Sequence, residues 1–216
     1  MIEADTRTPR ERYRAQVREE IKQHAWTQLA AAGAYALSLN AIAKQMGMSG
    51  PALYRYFANR DELITELVKD AYRSLADTFR ARAEAGADLG DLAHALRQWA
   101  LADPQRYFLV YGTPVPGYQA PEDTTRITSE IMTVLLDACT AEQPPATAPS
   151  PLDPHLAERR AWAGQHPAPP SALRRALTFW TRLHGVLSLE LAGHFTGMGF
   201  DPAQLYAAET EALAGR

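Results

Sequence analysis

Residues 38–57, SLNAIAKQMGMSGPALYRYF, contain two short amphipathic segments joined by a glycine turn. Leu39, Ile42, Ala43 and Met46 fall at the i, i+3, i+4, i+7 spacing that gathers one apolar stripe on a helix. Ser38 can cap that helix by accepting a backbone N–H bond. Gly47 supplies the positive φ of a sharp exit, Met48 offers an apolar plug, and Ser49 is placed to cap a second helix. Pro51 falls in the first turn of that helix, where its missing N–H has no intrahelical partner to lose. Leu53 and Phe57, four apart, face inward. Ser49, Gly50, Ala52, Tyr54, Arg55 and Tyr56 remain outward. A helix-turn-helix is the expected result, with a small N-terminal surface that can approach base edges and hydroxyl and guanidinium groups suited to phosphate.

Helix pairs with a glycine turn also occur in ordinary bundles, and a Tyr-Arg-Tyr run is often only solvated surface. Charge favours a nucleic-acid surface. Residues 1–60 carry nine Lys or Arg against five Asp or Glu, a net +4, whereas the remaining residues carry a net −7. A polyanion is therefore attracted to one end only. Asn59-Arg60-Asp61-Glu62 has the form of a capping box, which sets Arg60 at a positive helix N-terminus able to hold a phosphate.

From Arg12 to about Val68, with LSLNAIAKQMGMSGPALYRYFANRDELITELV at its centre, the chain resembles the N-terminal domain of the tetracycline-repressor (TetR) family. The resemblance implies that Ser38 and Arg60 hold the DNA backbone, that Tyr54 and Tyr56 touch phosphates, and that Gly50, Pro51, Ala52 and Arg55 lie against bases. One departure is Gly50, where the family frequently has Lys. Arg7, Arg10, Arg12 and Arg14 can form a basic arm along the duplex, although a solvated terminus is the commoner outcome.

The chain has 216 residues, enough for a small head and a larger helical body, and its 46% hydrophobic content is ordinary for a globular protein. No apolar run has the length of a membrane span, and MIEADTRTPRERYR has no signal core, so a cytoplasmic location is expected. Cys139 is the only cysteine, which removes an intrachain disulfide and a cysteine-based zinc site. Val17, Ile21, Ala25, Leu29 and Ala32 predict a long first helix ended by Gly33, and Leu63, Leu67, Ala71, Leu75 and Phe79 predict another. Helical patterns continue over 89–102, 104–111, 122–141, 171–196 and 202–214. The expected fold is all-α, about nine helices, with a helix-turn-helix domain over 1–60 and a ligand-binding and dimerisation domain over 61–216. Residues 143–170, rich in proline, read as a flexible segment with a short helix near His155–Ala163.

On the helix near 171–196, Leu173, Leu177, Trp180, His184, Leu187, Leu191 and Phe195 form one predicted stripe, and Thr181, Gly185, Ser188 and Ala192 an adjacent small-residue face. The small face permits close approach by another helix, within one subunit or across a two-fold axis. Trp180, His184 and Gly185, with Ala102–Pro104 and the Gly-Thr-Pro-Val-Pro-Gly of Gly112–Gly117, resemble the C-terminal domain of a TetR subgroup named for its Trp-His-Gly motif. This resemblance implies a homodimer on an inverted-repeat operator in double-stranded DNA, with Thr181, Gly185, Ser188 and Ala192 at the interface. It also implies a small-molecule effector in the body that shifts the helix beginning at Arg60. Trp99, Tyr107, Phe108, Tyr111, Phe179, Trp180 and His184 are the candidates to line a mostly apolar cavity.

Two other classes of function are open to an all-α chain of this size. An enzyme would need catalytic chemistry, but no H-E-x-x-H, di-iron E-x-x-H, G-x-S-x-G or P-loop pattern occurs, and Glu190 and His194 could share one metal at most. No cofactor or metal is expected. A helical interaction module with an acidic partner is the other alternative.

Overall fold

The computed structural model describes residues 8–112, 122–141 and 149–214, apart from the side chains of Tyr35 and Glu122. Among the described residues there are ten α-helices, two short 3-10 turns and no strand. The chain divides into a head up to Asp70 and a body from Ala71 onward. The head extends beyond residue 60 because Leu63, Ile64 and Leu67 are fully buried in it.

Thr8 and Glu11 cap each other's backbone N–H groups and Pro9 occupies the first turn, so α1 (Pro9–Ala32) starts early. Arg10, Arg12 and Arg14 therefore lie on a regular helix and do not form an arm; Arg7 lies outside the described residues. Gly33, at φ 74°, closes α1 by donating its N–H to the Leu29 carbonyl. After a 3-10 turn over Ala34–Ala36 come α2 (Leu39–Gln45) and α3 (Gly50–Leu53), with Gly47 at φ 65° between them. The second helix is shorter than the sequence pattern implies. Beyond Tyr54 it tightens, with Arg55 and Tyr56 donating to carbonyls three residues back. Ile21, Leu29, Ile42, Leu53, Phe57 and Leu63 make the fully or almost fully buried centre of the head. Lys22 is buried there as well, 2.7 Å from both Glu19 and Asp70. Burial disfavours its ammonium, but the hydrogen bonds to those carboxylates outweigh this and raise its pKa.

The first half of α4 (Arg60–Glu84) belongs to the head and the second half to the body. The body adds α5 (Leu89–Ala102), α6 (Pro104–Tyr111), α7 (Glu122–Ala141), α8 (Leu152–Glu158), α9 (Pro170–Leu191) and α10 (Pro202–Ala214). Helix α9 is central, packing on α5, α7, α8 and α10. Its buried face is Ala172, Leu173, Ala176, Phe179, Leu183, Val186 and Leu187. This is rotated from the predicted stripe, whose Leu177, Trp180, His184, Leu191 and Phe195 are only half-buried. The helix also stops at Leu191, five residues before the predicted end, because Gly193 turns the backbone to φ 77°.

Ion pairs between helices fasten the body. Arg97 grips Glu190 and lies 5.2 Å over the Tyr206 ring, tying α5 to α9 and α10. Arg73 holds Glu130 through bonds of 2.6 and 3.1 Å, tying α4 to α7. Over its described part, 149–170, the proline-rich stretch is packed where a flexible excursion was expected. The predicted short helix is divided into α8 and a 3-10 turn over Ala161–Ala163, and Leu156, Ala163 and Ala168 are buried. Asp153 takes a 2.7 Å bond from Arg174 on α9, and Arg160 donates to the His166 and Ala168 carbonyls.

Candidate functional site

In the head, Ser38 and Ser49 accept from the backbone N–H groups of Ala41 and Ala52 and so start α2 and α3. Ser38, Ser49, Pro51, Tyr54 and Arg55 are exposed, while Gly50, Ala52 and Tyr56 are half-buried. Leu53 and Phe57 behind them are fully buried and fix which face points outward. Tyr54, at 45% exposure, presents a large ring and hydroxyl to solvent. Arg60 is differently placed. Its guanidinium donates to the Ala34 carbonyl at 2.6 Å and lies 3.7 Å from Asp61, so it braces the head internally. The capping box behind it is offset: Asn59 accepts from Glu62 N–H, but the Glu62 carboxylate reaches Ala58 N–H.

Sequence reasoning missed two braces at the end of α3. Arg14 donates to the Arg55 carbonyl at 3.0 Å, and Arg18 donates to the Tyr56 carbonyl while stacking 4.1 Å over Phe57. Arg18 also lies 3.8 Å from Glu62 and 3.7 Å from Glu66. The signal was present, since carbonyls at a helix C-terminus need donors and Arg14 and Arg18 share a face of α1 one turn apart.

In the body, five of the seven predicted cavity residues come together. Tyr111 touches His184 at a ring separation of 4.2 Å, Trp180 at 5.8 Å, Tyr107 at 5.3 Å and Trp99 at 6.5 Å. Phe108 joins at the margin, 5.6 Å from Tyr107. Phe179 lies on the fully buried core face of α9, outside these ring contacts. Two unpredicted residues take part: Tyr72, 5.9 Å from Tyr111, and Ser188, whose hydroxyl is 2.8 Å from that of Tyr107. Ser188 was expected on the outward small-residue face, but its bond to Tyr107 turns it inward. Thr181, Gly185 and Ala192 are exposed. The Gly-Thr-Pro-Val-Pro-Gly motif beyond Gly112 lies outside the described residues.

The two central rings carry no charge near pH 7. Burial lowers the His184 pKa to about 3, so its ring is neutral near pH 7, and burial pushes the Tyr111 phenol well above its usual range. Glu190, once a candidate to share a metal with His194, is engaged by Arg97. Among the described residues no group of three or more potential metal ligands occurs, and no helix is long and apolar enough to cross a membrane.

Residues 89–213 match the family described as tetracyclin repressor-like, C-terminal domain, and residues 21–67 match that of bacterial regulatory proteins, tetR family. The chain belongs to the TetR family. It is accordingly a DNA-binding transcriptional regulator and not an enzyme, with an N-terminal helix-turn-helix and a helical C-terminal domain. This TetR protein is 36% identical over 215 residues to an HTH-type transcriptional regulator of Mycobacterium tuberculosis, covering 93% of this chain and 92% of that one. It is also similar to the solved regulatory protein SCO4313, with a TM-score of 0.89 and 67% identity over 97% of this chain and 100% of that one. FadR from Bacillus subtilis, solved with stearoyl-CoA, shares the fold alone, with a TM-score of 0.61 and 13% identity over 92% of this chain and 98% of that one.

Proposed function

We propose that this TetR protein is a homodimeric repressor that binds an inverted-repeat operator and is released by a small, largely apolar molecule held in its body. The observation that carries the reading is the pairing of two chemistries in one chain. The head has an exposed Ser49–Tyr56 surface mounted on buried Leu53 and Phe57, and the body has a cluster of aromatic rings with unmet polar groups inside it. In the head, Ser49, Gly50, Pro51, Ala52 and Arg55 meet base edges, and Ser38, Tyr54 and Tyr56 meet phosphates. Arg60 supports this surface through Ala34 and offers the α4 N-terminus to the backbone. In the body, Trp99, Tyr107, Tyr111, Trp180 and His184 line the effector cavity, with Phe108 at its edge and Phe179 behind it. FadR, which has the same fold, was solved with stearoyl-CoA. Repression follows from simple exclusion of polymerase at an occupied operator.

Selection of bound sequences from random duplexes with the full chain tests the reading. Enrichment of an inverted repeat, and release of that duplex by apolar compounds, is the expected result. Enrichment of no sequence, or binding indifferent to salt, would count against it.

A further inference from the structure

Four buried side-chain polar atoms have no hydrogen-bond partner among the described residues: Arg106 Nε, Tyr111 Oη, Thr124 Oγ1 and His184 Nε2. A buried polar group left unmet costs free energy, so its retention calls for a partner not yet in place. Tyr111 and His184 are in ring contact at 4.2 Å, and His184 also packs against the Trp180 and Tyr107 rings.

The hydrogen bonds around these two rings bear on what that partner can be. The Tyr107 hydroxyl lies 2.8 Å from Ser188 Oγ, 3.1 Å from His184 Nδ1 and 3.2 Å from the His184 carbonyl. When Tyr107 gives its proton to Nδ1, His184 shows an N–H at Nε2. When it gives that proton to the carbonyl, Nδ1 carries the hydrogen and Nε2 is a bare acceptor. Tyr111 can likewise give or take. Both orphaned groups therefore suit an oxygen that can act in either sense, as a hydroxyl does, and Nε2–H and the phenol suit a carbonyl. Among the described residues no carboxylate bonds to either side chain, and the Arg106 guanidinium stands 4.7 Å over Trp99, which disfavours a cation. Two Arg106 nitrogens are engaged, by the Trp99 carbonyl at 3.0 Å and by Ser74 at 3.4 Å, and its unmet Nε bonds to neither Tyr111 nor His184, so the oxygen these two side chains read needs no charge of its own.

We propose that the effector is an uncharged, largely apolar molecule bearing one hydroxyl or carbonyl oxygen, and that Tyr111 Oη and His184 Nε2 hold that oxygen. This rests on the ligand-responsive reading above and adds the class of molecule and the residues that read it.

Equilibrium dialysis of the full chain against naphthalene, 1-naphthol and 1-naphthoate separates the cases, because the ring is constant and only the head group changes. The expected order has 1-naphthol about tenfold tighter than either of the others, the size of one or two net hydrogen bonds. Tyr111→Phe and His184→Phe should each narrow the advantage of 1-naphthol over naphthalene to about threefold or less. Tyr111→Phe should melt no lower than the wild type, because the hydroxyl it removes has no partner; if His184→Phe does not fold, the Tyr111 variant carries the comparison. Equal binding of naphthalene and 1-naphthol overturns the oxygen-reading pair while leaving an apolar cavity. Tightest binding of 1-naphthoate overturns it in favour of an anion. Failure of all three to bind, with no release of operator DNA, overturns the ligand-responsive reading together with it.

Discussion

His184 has an ordinary pKa of 6.5 when unfolded and about 3 when folded, lowered by burial. Between those values the unfolded chain binds a proton that the folded chain refuses, so stability is full above pH 6.5 and is lost as pH falls toward 3. The loss should approach about 1.4 kcal/mol per pH unit, or about 2 kcal/mol between pH 7 and pH 5. Denaturant melts of the wild type and His184→Asn at those two pH values check it; a wild-type slope no steeper than the variant's would show a solvated ring. At the proposed DNA surface, Tyr54→Ala should weaken binding to every duplex, and Arg55→Ala should also relax sequence preference by about 1 to 3 kcal/mol at the base assigned to it. Titration of a selected operator and a scrambled duplex distinguishes the two. The outward set around Tyr54 and Arg55 was legible in the sequence because Leu53 and Phe57, four apart, fix one face of a short helix. Arg60 was less so: its position at a helix start is a local property, but the Ala34 carbonyl that captures it is 26 residues away. The partnership of Ser188 with Tyr107, 81 residues apart, was hidden for the same reason.

Among the elements, local signals were strong wherever the chain itself supplies the stop. Gly33 and Gly47 marked the ends of α1 and α2, and the Asp103-Pro104 step separated α5 from α6. Gly47 stands at φ 65° with open space where a Cβ would point, so Gly47→Ala should cost only backbone strain, about 1 kcal/mol, seen as a lower melting temperature of the head. An unchanged melt would mean the turn relaxes. Helix α9 shows where such signals end. Its apolar residues occupy more than half its circumference, so periodicity alone could not settle whether the Trp180–His184 line or the Phe179–Leu183 line is innermost; contacts with α5, α7, α8 and α10 do. The α1 braces give another element-scale prediction. Arg18→Ala removes the donor to the Tyr56 carbonyl and the stack on Phe57, so operator affinity should fall although Arg18 needs no contact with DNA. Arg18→Lys, which keeps the charge but not the planar stack, should recover only part of it. Full recovery by Lys would assign the effect to long-range charge.

For the whole molecule, the decisive quantity is the face α9 leaves unpartnered. Thr181, Gly185, Leu189 and Ala192 succeed one another at intervals of four, four and three residues, and all are exposed. Leu189 thus takes the place that the sequence pattern gave to Ser188. Leu189 is 45% exposed, and beyond the helix Met198 and Phe200 are 63% and 40% exposed, which is unusual for side chains of this size in a lone subunit. A line of small residues that includes an exposed leucine suits close approach by a second copy, and a stable pair needs on the order of 800 Å² buried per partner. At Gly185 a Cβ would meet nothing within 4 Å in the single chain, so the position tolerates a larger residue within its own subunit. Gly185→Arg should therefore leave the fold intact but force two long cations into a paired helix face. If this face carries the proposed two-fold contact, sedimentation should show the wild type as a dimer and Gly185→Arg as a monomer. Affinity for a selected inverted repeat should drop by about a hundredfold or more, because two half-sites are no longer engaged at once. A Gly185→Arg protein that still sediments as a dimer would place the two-fold contact on another surface, and the spacing of operator half-sites would have to be derived from that surface instead.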